Sequence, residues 1–78
     1  MKPDQIDTLL EDACRELGFC LSPDAIERIR VLPEMTAAHL ATEVVKEELG
    51  AADARWVAVL SDRFAVILDK RRSDWTSN

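Results

Sequence analysis

The longest apolar stretch of this 78-residue chain runs from Trp56 to Leu68, reads WVAVLSDRFAVIL, and constrains the fold more than any other segment. A chain of this length forms at most one small domain with a single hydrophobic core. The stretch holds one of the two tryptophans and one of the two phenylalanines. We therefore expect the core to form on it.

Two structures are compatible with this stretch. As a helix from about residue 53 to residue 72, it contains neither Gly nor Pro and has one broad apolar face. As a β-hairpin, it splits into two runs of strand-favouring residues, WVAVL and FAVIL, around a turn at residues 61–63. The residues predicted to stack along the face of the helix are Trp56, Leu60, Phe64 and Ile67, with Val57, Val59, Val66 and Leu68 widening that face.

Arg63 is the residue on which the choice between helix and hairpin depends. In a helix it falls within the apolar arc and must escape along the edge of the core on its aliphatic stem, whereas in a hairpin it lies in the turn. The hairpin would place apolar side chains on both faces, and its turn lacks the Gly or Asn that tight turns prefer. The sequence therefore predicts an all-α fold, a small four-helix domain with a long apolar C-terminal helix. The alternative is an α+β fold, with three helices followed by a C-terminal β-hairpin.

The segments before this stretch have the apolar spacing and the end signals of amphipathic helices. The first helix, about residues 4–17, is predicted to begin with Asp4 as its N-cap and to end at Gly18. The second helix, about residues 23–31, is predicted to begin after the N-cap Ser22.

A third helix is predicted to begin at the N-cap Thr36 and to end at Gly50. The sequence thus divides into a single helical domain, residues 1–72, and a flexible C-terminal tail, residues 73–78. The tail is polar except for Trp75.

The chain is acidic, with a net charge of −5 at pH 7. Residues 1–50 carry a net charge of −6, and residues 51–78 carry +1. An acidic surface repels nucleic acid and favours a basic partner protein. No apolar run approaches the ~20 residues of a membrane span, and the N-terminal residues lack the apolar core of a secretory signal. The expected location is therefore the cytoplasm, without membrane attachment.

The two cysteines, Cys14 and Cys20, are expected to be reduced thiols, because small secreted scaffolds usually carry more cysteines than two. The alternative is a redox pair or a single local disulfide, which requires Cys14 on the first helix to meet Cys20 in the following loop. Neither is expected to act as a nucleophile, since the acidic residues Asp12 and Glu16 beside Cys14 disfavour a thiolate.

His39 is the only histidine, and Glu43 follows it at a helical spacing that can provide half of a metal site. A closed site needs further ligands, and the sequence offers none in a recognisable pattern. The two glycines also leave no Gly-rich phosphate loop. We therefore expect no metal, no cofactor and no enzymatic activity.

The leading functional hypothesis is a small, acidic, non-catalytic protein-interaction domain of bacterial type. It would be an adaptor, an inhibitor or an immunity-type protein that acts by surface complementarity with a partner protein. One alternative is a homodimeric structural module that buries the surplus apolar area of the central stretch. Another is a helix-turn-helix-type nucleic-acid-binding regulator, which is disfavoured because its third helix would present acidic residues to the phosphates. The residues predicted to contact a partner are Arg63, Arg71, Arg72, Trp75, Glu43 and Glu47.

Overall fold

The chain forms four α-helices in a computed structural model that describes residues 1–32 and 35–71. The predicted all-α fold is confirmed. The C-terminal β-hairpin is wrong, because the central apolar stretch lies within one continuous helix and the described residues contain no strand. Residue 72 and the predicted tail, residues 73–78, lie outside the described residues. The helices are α1 (Pro3–Leu17), α2 (Pro23–Arg30), α3 (Ala37–Leu49) and α4 (Ala54–Lys70).

Two of the helices end at the predicted glycines. Gly18 follows α1 with φ of 77°, and Gly50 follows α3 with φ of 78°, both in the left-handed region that glycine adopts without strain. After α1, the N–H of Gly18 donates to the carbonyl of Cys14 at 3.1 Å, and the N–H of Phe19 donates to the carbonyl of Ala13 at 3.1 Å. The bond from Gly18 to Cys14 is the one that defines an αL C-cap, and together the two bonds hold the chain where it turns back after α1.

The predicted caps of α2 and α3 are also confirmed. The Ser22 hydroxyl oxygen accepts a hydrogen bond from the N–H of Ala25 at 3.2 Å, and the Thr36 hydroxyl oxygen accepts one from the N–H of His39 at 3.1 Å. Each oxygen satisfies a backbone donor that has no partner within its helix. The start of α4 uses the same chemistry, with the carboxylate of Asp53 as its N-cap.

The predicted cap of α1 is wrong. The helix begins at Pro3 with Lys2 in the N-cap position, so Asp4 lies inside the first turn. Proline suits the first helical position because it lacks the N–H that would stay unsatisfied there. The N–H of Lys2 donates to the side-chain oxygen of Gln5 at 2.8 Å. The Gln5 side chain, which lies inside the first turn, therefore satisfies the backbone donor of the N-cap residue.

The hydrophobic core draws on all four helices, and α4 packs mainly against α3. From α2, Ile29 belongs to this core and Ala25 is buried as well, and α2 packs against both α1 and α3. Leu60 and Phe64 provide the buried part of α4, as predicted. The largest fully buried side chains are Ile6, Leu9, Leu40, Val44, Val45, Leu60 and Phe64.

The buried face of α4 is narrower than predicted. Ile67 is partly buried against the core, but Trp56, Val59 and Val66 are exposed. These three residues belong to the apolar arc of α4, yet the three shorter helices cover only one side of it. The prediction that they contribute to the core is therefore wrong.

Cys14 and Cys20 form a disulfide bond, so the prediction of two reduced thiols is wrong. Cys14 lies in the last turn of α1, and the reversal at Gly18 carries the chain back until the two cysteine Cα atoms are 4.2 Å apart. The structure thus corresponds to the alternative, a single local disulfide between α1 and the loop that follows it.

Candidate functional site

Arg63 on α4 is bound by Asp12 on α1. Its Nη2 donates to Asp12 Oδ1 at 3.1 Å, and its Nε donates to the second carboxylate oxygen, Oδ2. Arg63 thus leaves the apolar arc along the edge of the core, as the helix interpretation requires, and ends on a carboxylate. The hydrogen bond to Asp12 raises the pKa of Arg63 above its ordinary value, burial opposes the rise, and the negative charges of Asp12 and Glu16 add to it.

This bidentate ion pair joins two helices that run antiparallel. Phe19 after α1 contacts Trp56 near the start of α4, whereas Asp12 contacts Arg63 two turns further along α4. The Asp12 side chain is 17% exposed and that of Arg63 is 38% exposed. A partner that contacted Arg63 would therefore have to share its guanidinium with Asp12.

We expect Asp12→Asn and Arg63→Gln each to lower the melting temperature, because each leaves the other side chain without its counter-charge. The double variant should melt higher than the sum of the two single effects predicts, since the second substitution removes the unpaired charge. Thermal unfolding followed by circular dichroism measures this cycle. Strictly additive effects would show that the interaction between Asp12 and Arg63 does not contribute to stability.

The Arg63–Asp12 ion pair determines how its own contribution to stability changes with pH. A raised pKa stabilises the folded state as long as the guanidinium keeps its proton, and this contribution is lost only when the pH rises through the folded-state value. The folded-state pKa of Arg63 lies in the strongly alkaline range. The effect of Arg63→Gln should therefore be the same across the range from roughly pH 6 to pH 8.

The side of α4 that faces away from the core presents exposed apolar side chains. Val59 is 45% exposed and Val66 is 51% exposed. They lie two helical turns, about 10 Å, apart on one stripe with Arg55 and Asp62, which are exposed as well. We refer to Arg55, Val59, Asp62 and Val66 together as the outer face of α4.

Trp56 borders the outer face of α4. Its ring packs edge-to-face against Phe19, with 5.1 Å between the ring centroids and 65° between the ring planes. Such pairs add to the free energy of packing beyond the area that they bury. The remaining surface of the indole is open, and 38% of the residue is exposed. The contact ties the loop after α1 to the beginning of α4.

Two predicted contact residues on α3 form ion pairs within the domain. Glu47 accepts a hydrogen bond from Arg28 Nη2 at 2.7 Å, and Glu43 lies 3.7 Å from Lys46 Nζ. Exposed pairs of this kind contribute little to stability, so a partner with a better-placed cation could replace them at small cost. Their role as contact residues stays a prediction.

The side chains of α1 and α4 enclose an open groove at the C-terminal end of α4. It has a volume of about 260 Å³. The predicted contact residue Arg71 lies on this groove, whereas Arg72 and Trp75 are outside the described residues. We call this feature the α1–α4 groove, and the residues that line it are Thr8, Asp12, Arg15, Ile67, Lys70 and Arg71.

The groove could not be predicted from the sequence, because it depends on the packing of two helices that are distant in the chain. Asp12 and Arg63, which join α1 to α4, are 51 residues apart. Arg15 looks in the sequence like an ordinary polar residue on an exposed helix face. The one sequence signal for it is the basic pair Lys70 and Arg71, of which Arg71 is a predicted contact residue.

His39 is exposed, and within residues 1–32 and 35–71 no three His, Cys, Asp or Glu side chains come together in a way that could hold a metal ion. None of the four described helices combines the length and the apolar character needed to cross a membrane. Comparison of the chain with family models, curated proteins and solved structures finds no match.

Proposed function

We propose that this chain is a non-catalytic protein-interaction domain that binds a partner protein through the outer face of α4, as an adaptor, inhibitor or immunity-type protein would. The observation that carries the proposal is the exposure of Val59 and Val66 on a helix whose opposite side forms the core. Single exposed apolar residues are common on monomeric proteins. Two valines on one stripe, with a half-exposed tryptophan beside them, form the kind of helix face that docks into an apolar groove.

The surroundings of the two valines support this interpretation. Arg55 and Asp62 lie on the same stripe, so an apolar centre is interleaved with charges of both signs, as in many protein interfaces. On the opposite side of α4, Leu60 and Phe64 are completely buried in the core and fix the helix in place. A helix held in this way loses little conformational freedom on binding, which favours affinity.

A second candidate is a homodimer formed by the same face. The stripe begins with Arg55 and continues along α4 towards Asp69, so an antiparallel copy would bring a basic end next to an acidic end. The same pairing places Val59 opposite Val66 of the other copy. The net charge of −5 on each chain opposes this association, which is why a different partner protein is the first candidate.

The test is capture of a partner with matched surface variants. We expect tagged wild-type protein and the control Val31→Glu to retain the same bound protein, and Val59→Glu/Val66→Glu to lose it at least tenfold. Val31 is a suitable control because it is an equally apolar residue, is 75% exposed, and lies at the end of α2 instead of on α4. Glutamate keeps the helix propensity of α4, so loss of binding reports on the surface.

Two results would contradict the proposal. One is a partner that all three proteins bind equally, because the outer face of α4 would then be unnecessary. The other is the absence of any bound partner together with a wild-type chain that sediments as a monomer at both low and high concentration. A wild-type chain that sediments as a dimer, and a Val59→Glu/Val66→Glu variant that does not, would instead favour the homodimer.

A further inference from the structure

We propose that a groove between α1 and α2 binds a basic amphipathic helix of a partner protein, at a site separate from the outer face of α4. The groove lies on a different side of α1 from the α1–α4 groove, to which the same helix contributes Asp12 and Arg15. We call this feature the α1–α2 groove, and the residues that line it are Asp7, Leu10, Glu11, Cys14, Leu21 and Ile26.

The floor of the α1–α2 groove is apolar and is formed by two helices and the loop between them. Leu10 is 5% exposed and belongs to the core, whereas Leu21 and Ile26 are only partly buried against that core. The disulfide bond between Cys14 and Cys20 ties the loop that carries Leu21 to α1. An apolar side chain of a partner therefore meets a wall that is already ordered, which lowers the entropy cost of binding.

Carboxylates outnumber cations along the edge of this groove. The guanidinium of Arg30 is divided between two of them, since its Nε lies 3.3 Å from Asp7 Oδ1 and its Nη1 lies 3.2 Å from Glu27 Oε1. Glu11 is exposed, and no basic side chain within residues 1–32 and 35–71 forms an ion pair with it. Three carboxylates thus share one guanidinium, and the surplus negative charge favours a basic partner.

The dipole of α1 provides a competing explanation for acidic side chains on this helix. Carboxylates in the first turn stabilise the helix itself, and Asp4 occupies that position. The effect falls off beyond the first turn, however, and Glu11 lies more than two turns after Pro3. The dipole therefore does not explain a carboxylate beside the partly open apolar wall of Leu21 and Ile26.

The spacing of the carboxylates on α1 defines the partner. Asp7 and Glu11 are one helical turn apart, so their side chains start about 6 Å from each other on one face of the helix. Lysine or arginine side chains one turn apart on a partner helix match this spacing, while an apolar stripe beside them packs on Leu21 and Ile26. Residues 1–50 carry a net charge of −6, which attracts such a helix to this half of the chain.

The experiment is isothermal titration calorimetry at low ionic strength with three synthetic helical peptides of equal length. The first peptide has a leucine stripe and lysine at its polar positions, the second has glutamate in place of lysine, and the third has glutamine in place of leucine. We expect wild-type protein to bind the leucine–lysine peptide at least about tenfold more tightly than either of the others, because the groove is both apolar and acidic. Added salt should weaken this binding, because exposed charges are screened.

Glu11→Gln and Glu16→Gln form a matched pair of variants. Each removes one carboxylate from an exposed position of α1, but only Glu11 lines the groove. Glu11→Gln should weaken binding of the leucine–lysine peptide about threefold, and Glu16→Gln should leave the affinity unchanged. In wild-type protein, the amide chemical shifts that change with this peptide should cluster at Glu11, Leu21 and Ile26.

The proposal is overturned if the leucine–lysine peptide does not bind, if either other peptide binds as tightly, or if the two variants have equal effects. Shift changes on the outer face of α4 instead of the α1–α2 groove would also overturn it, and they would leave the function proposed for the outer face intact. Amide shifts of the groove that change with the concentration of the protein alone would overturn it too, because a second copy of this chain would then occupy the groove.

Discussion

Replacing Phe64 by alanine should leave this domain largely unfolded at room temperature. Phe64 has no exposed surface, and it belongs to the single core cluster that joins the helices. A Phe→Ala substitution at such a site costs about 3–5 kcal/mol, because the buried contacts are lost and a cavity remains. A domain of this size has little more than that in total, since a single small core supplies roughly 3–5 kcal/mol. The substitution therefore removes most of the net stability.

Urea unfolding followed by far-ultraviolet circular dichroism measures this effect, and Val66→Ala is its control. Both residues lie on α4 and both become alanine, but Val66 is 51% exposed. The control should change the free energy of unfolding by less than about 0.5 kcal/mol, as is usual for surface positions. Equal shifts of the urea midpoint in the two variants would mean that the core does not lie on the Phe64 side of α4.

The ends of the helices could be predicted because their signals are local. The Ser22 and Thr36 caps and the glycines after α1 and α3 act on backbone groups only a few residues away, so the sequence contains both partners of each interaction. The start of α1 was misplaced because two local signals compete there. Pro3 at the first helical position determines the start, and Asp4 then contributes only its charge to the first turn.

The partner of the Arg63 side chain could not be predicted in the same way. The period of the apolar residues shows that Arg63 interrupts the apolar arc of α4, but it does not show which side chain is near. The partner, Asp12, is 51 residues away in the sequence, and its position depends on how α1 packs against α4. The sequence left helix and hairpin open for this reason, and a tertiary ion pair resolves the choice.

The width of the buried face of α4 was overestimated for a related reason. Apolar periodicity indicates which residues can be buried, whereas the area of the neighbouring helices determines how many are. The three helices before α4 cover Leu60 and Phe64 but leave Val59 and Val66 open. Conversely, Met35 is 3% exposed in the connection between α2 and α3, where no periodic pattern marks a residue as part of the core.

The predicted contact residues have in common only side chains that are suited to recognition, and the structure brings few of them together. Arg71 lies on the α1–α4 groove and Arg63 pairs with Asp12 of α1, whereas Glu43 and Glu47 are neighbours on α3 and form ion pairs there. Residue type indicates which side chains are suited to recognition. Which of them share one surface depends on contacts between helices that no short sequence pattern encodes.

Reducing the Cys14–Cys20 disulfide should lower the free energy of unfolding by roughly 2 kcal/mol, because the bond restricts the unfolded chain and the closed loop is short. The cysteines are six positions apart, so the loop is near the small end of the range for which this estimate holds. The helices should remain, since the hydrogen bonds of Gly18 and Phe19 to the last turn of α1 hold the reversal independently of the sulfur atoms.

The bond also bears on where the protein works. The cytoplasmic location was expected from the lack of a membrane span and of a secretory signal, and the disulfide is an observation against it, because such bonds persist mainly in oxidising compartments. Counting free thiols in protein that is purified without reductant, after denaturation, shows directly whether the bond forms in the producing cell. Two free thiols per chain would mean that the cell keeps Cys14 and Cys20 reduced.

The stability experiment compares urea unfolding of oxidised wild-type protein with and without a phosphine reductant. We expect the urea midpoint to fall on reduction, while the helical circular dichroism signal before the transition stays the same. The variant Cys14→Ala/Cys20→Ala is the control, and its midpoint should be unaffected by the reductant. If thiol counting confirms reduction and the wild-type midpoint does not move, the bond adds nothing to the fold, and the Gly18 turn with the Phe19–Trp56 contact is sufficient to hold this end of α1.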